Sequence, residues 1–325
     1  MKAIVQDVYG PAGVLRLGEI DPPRIGDDEV LVRVRAAGVD PGVWVLMTGR
    51  PAAVRLMGFG LRRPKVPVRG RDLAGVVESV GARVTRFRPG DEVYGACRSG
   101  SFAEYAAAPE RLLAPKPAGL SFEEAAVVPV SGTTALQAIR DAARVRAGQR
   151  VMVVGAGGGV GTFAVQMARA LGATVVGVCG PGKAGLVRSL GADDVIDYTR
   201  DEVDRDGPRH DVILDTAGCR PLPLLRRALT PRGTLVLVGG GHDAPGLLGG
   251  YTRQLRAPFV SMLTRQRVRG VTAREGAGSL AELTRLIDSG AVRPVIDRAY
   301  PLAEAPEAIR YLAEGHSTGK VVVTV

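Results

Sequence analysis

Residues 150–178, RVMVVGAGGGVGTFAVQMARALGATVVGV, constrain the fold of this 325-residue chain more than any other stretch. The continuous apolar run Val151 to Val154 reads as a strand covered on both faces, and Val160, Phe163, Ala164, Met167, Ala168 and Leu171 then recur at helical spacing before a second apolar strand. A glycine-rich turn joins strand to helix. Such a turn lets backbone N–H groups and a helix N-terminus face a pyrophosphate, so the segment points to a bound dinucleotide. Its order departs from GxGxxG: Ala156 takes the first position, Gly158 the second and Gly161 the third, with Gly159 and Val160 between. The alternative is a glycine-rich turn in an α/β protein that holds no nucleotide.

The end of the second strand selects the dinucleotide. An acidic residue there normally accepts hydrogen bonds from the ribose hydroxyls of NAD. Here Val178 is followed by Cys179, Gly180, Pro181, Gly182 and Lys183, and no carboxylate occurs between Gly155 and Ala192. A lysine placed there favours the extra phosphate of NADPH. Against this, Lys183 and Arg188 also read as ordinary solvated residues of a basic protein.

The length allows two domains, and a 46% hydrophobic content with 4% aromatics describes an α/β chain rich in small aliphatic residues. No apolar run is long enough for a membrane span, and the start MKAIVQDVYG lacks the features of a signal peptide, so a cytoplasmic protein is expected. Cys97, Cys179 and Cys219 are far apart and odd in number, which offers neither a disulfide framework nor a metal knuckle. The net charge of +10 is mostly scattered arginine without interleaved aromatics, which argues against nucleic acid as the main partner.

Residues 1–118 carry short β signals broken by Gly and Pro, such as Val30 to Val34 and Leu73 to Val80. From Ser121, which forms a capping-box pattern with Glu124, the texture changes to the alternating strands and helices of a doubly wound sheet. Strands are expected at 151–154, 174–178, 194–196, 212–215, 234–238 and 268–272. The tail 291–325 returns to β texture and is expected to rejoin residues 1–118, leaving 119–290 as the nucleotide-binding domain.

The run from Gly70 to Gly81, GRDLAGVVESVG, together with Gly90-Asp91-Glu92-Val93, the AxGGVG turn, LGADDVIDY and the closing GKVVVTV, resembles the medium-chain dehydrogenase/reductase superfamily and its zinc-independent quinone oxidoreductase branch. The resemblance covers essentially the whole chain. It implies an α/β protein with a GroES-like catalytic domain built from both chain ends, a central Rossmann domain and a substrate cleft between them. It also implies that Ala217, Gly218, Gly239 and Gly240 border the cofactor, that Tyr198 sits beside the adenosine phosphate with Lys183, and that Thr133 and Thr134 lie on the nicotinamide side. Helix capping is the other reading of those threonines.

Zinc members of the superfamily draw ligands partly from a Gly-His-Glu where this chain has Gly70-Arg71-Asp72, and the cysteines of the structural zinc site are missing too. The three histidines, His210, His242 and His316, lie in segments that the family does not use for metal, so no metal is expected. Without a Lewis acid, a conjugated carbonyl or a quinone is the easier hydride acceptor, and a small apolar substrate of that kind is expected. Where branch members read AAGVNPxDW, this chain reads AAGVDPGVW, with Asp40 in place of the asparagine. An ionised carboxylate accepts but does not donate and would repel a developing enolate, so two readings of Asp40 stand: a site group that is protonated or turned toward a ribose hydroxyl, or a cap for the turn before Pro41. Trp44, Met47, Met57 and Phe59 are candidates for an apolar wall or for core packing. Tyr94 and Tyr251 are candidate proton donors that no motif places. The stretch Gly240 to Arg269 is where substrate choice or the contact of a homodimer would be written. A second expectation, a protein that binds NADPH in a regulatory role without redox turnover, rests on Asp40 and the missing acid.

Overall fold

A computed structural model describes residues 1–239, 249, 251–262 and 264–325. Gly240, His242 and the side chain of Tyr251 lie outside what is described. The chain divides into two compact units. The first contains Met1–Thr133, Glu275–Gly290 and Pro294–Val325; the second contains Thr134–Arg274 and Ala291–Arg293. The tail therefore returns to the first unit. The expected nucleotide-binding range 119–290 differs from the second unit at both ends, since 119–133 and 275–290 belong with the first. The physical reason is side-chain burial: Tyr94, fully buried, donates its hydroxyl to the Leu280 carbonyl at 2.9 Å and shares a hydrogen bond with Thr284, which ties the helix Ala277–Asp288 to this unit. Burial pushes the Tyr94 hydroxyl up to about 12, so this phenol is a structural tie.

In the first unit the eleven-residue strand Glu29–Val39 organises a seven-stranded sheet. One edge pairs with Asp72–Val80; the other pairs with Tyr105–Pro109 at its start and, antiparallel, with the closing strand Lys320–Thr324 at its end. Alternating residues Val30, Val32 and Val34 are buried with Leu73, Val77 and Val321 in the main core of the unit. Ser121 and Glu124 form the expected capping box at the start of the helix Phe122–Ala126.

In the second unit six strands lie parallel in the order Asp194–Asp197, Thr174–Cys179, Arg150–Val154, His210–Asp215, Leu229–Val238, Arg267–Val271. In chain order this is 3-2-1-4-5-6, the doubly wound Rossmann arrangement, with its switch point between Arg150–Val154 and His210–Asp215. Ligands of such sheets bind beyond the carboxyl ends of the strands at that point.

His210, at the start of one of these strands, is buried, and its Nδ1 finds no hydrogen-bond partner among the described residues. Burial lowers its pKa from 6.5 to about 4. The unfolded chain takes up a proton as pH falls through 6.5 while the fold resists, so stability is lost between about pH 6.5 and about pH 4. The loss amounts to about 3 kcal/mol. Urea unfolding at neutral pH and near pH 4.5 is expected to show this loss, and His210→Gln is expected to flatten it.

Candidate functional site

The glycine turn follows from backbone sterics. At the end of Arg150–Val154 the chain reverses through Gly155, whose φ of +83° is open to glycine; a Cβ there would stand 2.6 Å from the Thr216 hydroxyl. The N–H groups of Gly155 and Ala156 both donate to the Val178 carbonyl at 3.0 Å, which fastens the turn to the second strand, and the Gly158 N–H closes it onto Gly155 O at 3.0 Å. Ala156 is fully buried. A Cβ on Gly161 would meet Gly155 O at 2.1 Å, so only glycine lets the helix Gly159–Ala170 rest directly on the turn. Gly158 is different: its φ of −93° suits any residue, and a Cβ there would have nothing closer than Gly155 O at 3.4 Å. This glycine, the N-cap of the helix, borders open space, and no side chain caps the first-turn N–H groups. That is an anion cradle.

Lys183 closes one side. A Cβ on Gly157 would lie 2.8 Å from Lys183 Cδ, so the lysine stem runs over the turn. Cys179 is buried at the end of its strand, which raises its thiol pKa. Gly180 and Tyr198 are neighbours, since a Cβ on Gly180 would stand 3.5 Å from the Tyr198 hydroxyl oxygen. The Arg220 guanidinium lies 5.7 Å over the half-exposed Tyr198 ring. The carboxylate of Asp197 accepts from the Thr199 N–H at 3.0 Å and the Thr199 hydroxyl at 2.8 Å.

Across the switch point, the Thr216 hydroxyl donates to Val154 O at 2.8 Å. Asp215, fully buried at the end of its strand, accepts from the Gly218 N–H at 3.0 Å and from Arg253 at 2.7 Å. These bonds fix Ala217 and Gly218 beside the glycine turn. A Cβ on Gly239, at the end of the next strand, would meet nothing within 4 Å. Sequence reasoning missed Gly155, Thr216, Arg220 and the Asp215–Arg253 pair. Only Asp215 left a signal, as an acid ending the apolar run VIL.

The other candidates lie in the first unit. Asp40 caps the helix Pro41–Thr48: its Oδ1 accepts from the Gly42 N–H at 2.7 Å. Its Oδ2 is buried without a hydrogen-bond partner among the described residues, as is the Thr133 hydroxyl. Thr133 sits a full turn inside the helix Pro129–Gln137, which removes capping as its role. Trp44 packs half-buried against the main core, and Met47 is fully buried in it, so Met47 is core and not wall. Met57 and Phe59 are exposed. Arg71 donates to Glu275 at 2.5 Å. Asp72 is fully buried, accepts from the Val130 N–H at 3.1 Å and stands 3.7 Å from the Lys320 ammonium.

Two family models match the chain. One described as an alcohol dehydrogenase GroES-like domain covers residues 26–118, and one described as a zinc-binding dehydrogenase covers residues 190–323. The mitochondrial NAD(P)H oxidoreductase RTN4IP1 of Danio rerio is 33% identical, over 100% of this chain and 91% of its own length. The chloroplastic NADPH-dependent alkenal/one oxidoreductase of Arabidopsis thaliana is 34% identical, over 99% and 79%. The quinone oxidoreductase of Coxiella burnetii superposes with a TM-score of 0.86 at 28% identity, covering 100% of this chain and 99% of that one. The chain belongs to the medium-chain dehydrogenase/reductase superfamily, in its quinone oxidoreductase-like branch. As a medium-chain reductase it is an NAD(P)H-dependent oxidoreductase, with the GroES-like and Rossmann-type parts of that superfamily. Among the described residues of this medium-chain reductase, no helix is long and apolar enough to cross a membrane.

Proposed function

We propose that the protein is an NADPH-dependent reductase that works without zinc and passes hydride to the β-carbon of an α,β-unsaturated carbonyl or to a quinone. The observation that carries this reading is Lys183 lying over the glycine turn, with no carboxylate from Gly155 to Ala192 to receive an unphosphorylated ribose. Asp197, the acid at the end of the neighbouring strand, is already engaged by Thr199. The names of the alkenal/one and quinone oxidoreductases to which the chain is similar support the acceptor class.

NADPH, when bound, supplies the hydride. Main-chain N–H groups of Gly159, Val160 and Gly161 would hold the pyrophosphate, and Gly158, whose own N–H closes the turn onto Gly155 O, would leave the room for it. Ala156 supports the turn from beneath, and Lys183 would meet the ribose phosphate. Cys179, Gly180 and Tyr198 would border the adenosine; Ala217, Gly218 and Gly239 would border the rest. On the acceptor side, Trp44 offers an apolar ring, Thr133 a buried hydroxyl with no partner among the described residues and Asp40 a second carboxylate oxygen without one.

Zinc does not fit these residues. Arg71 occupies the histidine position, and a guanidinium has no lone pair to give. Burial pushes the nearby Cys97 thiol up to about 12, away from the thiolate that a metal needs.

The test is NADPH oxidation with a panel of enones and quinones in the presence of a chelator. Turnover confined to saturated secondary alcohols and dependent on added metal would refute the reading. Lys183→Glu tests the cofactor part separately: it is expected to raise KM for NADPH by roughly ten- to a hundredfold while leaving KM for NADH unchanged or lower, from the loss of a charge-assisted phosphate contact.

A further inference from the structure

The segment between Asp40 and Asp72 carries seven cations and no carboxylate. Within it, Leu56, Met57, Phe59 and Leu61 are 69%, 75%, 44% and 64% exposed, four large apolar side chains in six residues. Arg62, Arg63 and Lys65 follow at once, all exposed, and none forms an ion pair with a described residue. Isolated exposed apolar residues are ordinary, but a cluster of this size bordered by charge of one sign marks a surface that meets something.

The backbone beneath these side chains is tied inward. The Tyr9 hydroxyl shares its single proton between the carbonyls of Phe59, at 3.0 Å, and Gly60, at 2.7 Å; the Lys65 N–H also donates to Phe59 O at 3.0 Å. Arg55 stacks 4.5 Å from the Tyr9 ring and donates to Gly49 O at 3.0 Å. Gly58 and Gly60 turn the chain at φ of +99° and +111°, and a Cβ on Gly60 would collide with Arg63 O at 2.1 Å. The apolar side chains are thus offered outward on a loop two of whose carbonyls, those of Phe59 and Gly60, are engaged from within.

We infer that the loop Leu56–Lys65 docks the protein on an anionic phospholipid surface, its apolar tip entering the acyl boundary and Arg62, Arg63 and Lys65 meeting headgroup phosphates. Charge complementarity selects this occupant. An exposed apolar stretch followed by three exposed cations matches a deformable acyl boundary beneath a negative surface on both counts.

The test is co-sedimentation of the full-length protein with phosphatidylcholine vesicles, with and without phosphatidylglycerol. Binding is expected with the anionic vesicles alone and is expected to weaken with salt. Replacing the three cations (Arg62→Gln, Arg63→Gln, Lys65→Gln) is expected to lower partitioning on the order of a hundredfold. Leu56→Ser with Leu61→Ser is expected to lower it at least tenfold. All five side chains are exposed, so both variants are expected to keep the wild-type melting temperature and NADPH affinity. Equal binding to neutral vesicles, or binding to neither, would overturn the inference. So would variants that change only the monomer–dimer ratio, which marks a second copy as the occupant, or only KM for a quinone or enone, which marks a substrate wall.

Discussion

Asp72→Ala is expected to lower stability at neutral pH by about 3–5 kcal/mol, because it strands a buried cation. Lys320, 3% exposed, stands 3.7 Å from the Asp72 carboxyl, and the same carboxyl accepts the Val130 N–H through its other oxygen. Alanine leaves both donors unanswered inside the core. Lys320 also begins the strand that closes the seven-stranded sheet, so the damage falls on the return of the chain end to the first unit. Asp72→Asn keeps an acceptor for Val130 and is expected to cost less, which separates the hydrogen bond from the charge. Burial raises the Asp72 pKa well above the ordinary carboxylate value, Lys320 opposes this, and Asp40 and Glu275 add to it. The stability contributed by a raised carboxyl is present at low pH and lost as pH rises through its folded value. Relative to Asp72→Asn, the wild type is therefore expected to lose stability as pH rises through the acid range. Urea unfolding of the three proteins at several pH values reads all of this; equal midpoints for wild type and Asp72→Ala would refute the account of the pair.

Gly158→Val is expected to abolish useful NADPH binding without harming the fold. The backbone there, φ −93° and ψ 177°, is extended, and a Cβ has no neighbour nearer than 3.4 Å, so the stability cost is about 1 kcal/mol at an N-cap. The same side chain fills the space over the first-turn N–H groups. Losing two hydrogen bonds to a charged phosphate costs about 3–6 kcal/mol, an affinity loss of roughly a hundredfold or more. Gly161→Ala behaves differently because its Cβ is placed 2.1 Å from Gly155 O: the helix must move off the turn, and both binding and stability fall. A Gly158→Val protein that melts normally and still binds NADPH as tightly as wild type would show that phosphate sits elsewhere.

What the sequence made visible was local. The strand at 150–154, the helix behind the glycine turn and the Ser121 capping box each declare themselves within a dozen residues, through periodicity or cap chemistry, and each stands where expected. The closing strand was legible from its valines. Contacts between distant residues were not. Nothing near Asp72 announces Lys320 as its partner, and nothing near Asp215 announces Arg253. Gly155 was passed over because the fingerprint counts later glycines, although its positive φ makes the turn. Met47 and Met57 share a residue type and a neighbourhood, yet one is fully buried and the other exposed, a difference that depends on tertiary packing alone. Asp40 was open between two roles, and one oxygen has taken the cap while the other is without a partner among the described residues.

Calorimetric titration of the purified protein with NADPH and with NADH tests the central claim most directly. Main-chain amides of the turn and the ammonium of Lys183 are expected to give saturable NADPH binding at least tenfold tighter than NADH, with that preference lost in Lys183→Glu. Equal affinities, tighter NADH, or no association with either dinucleotide at millimolar concentration would contradict it.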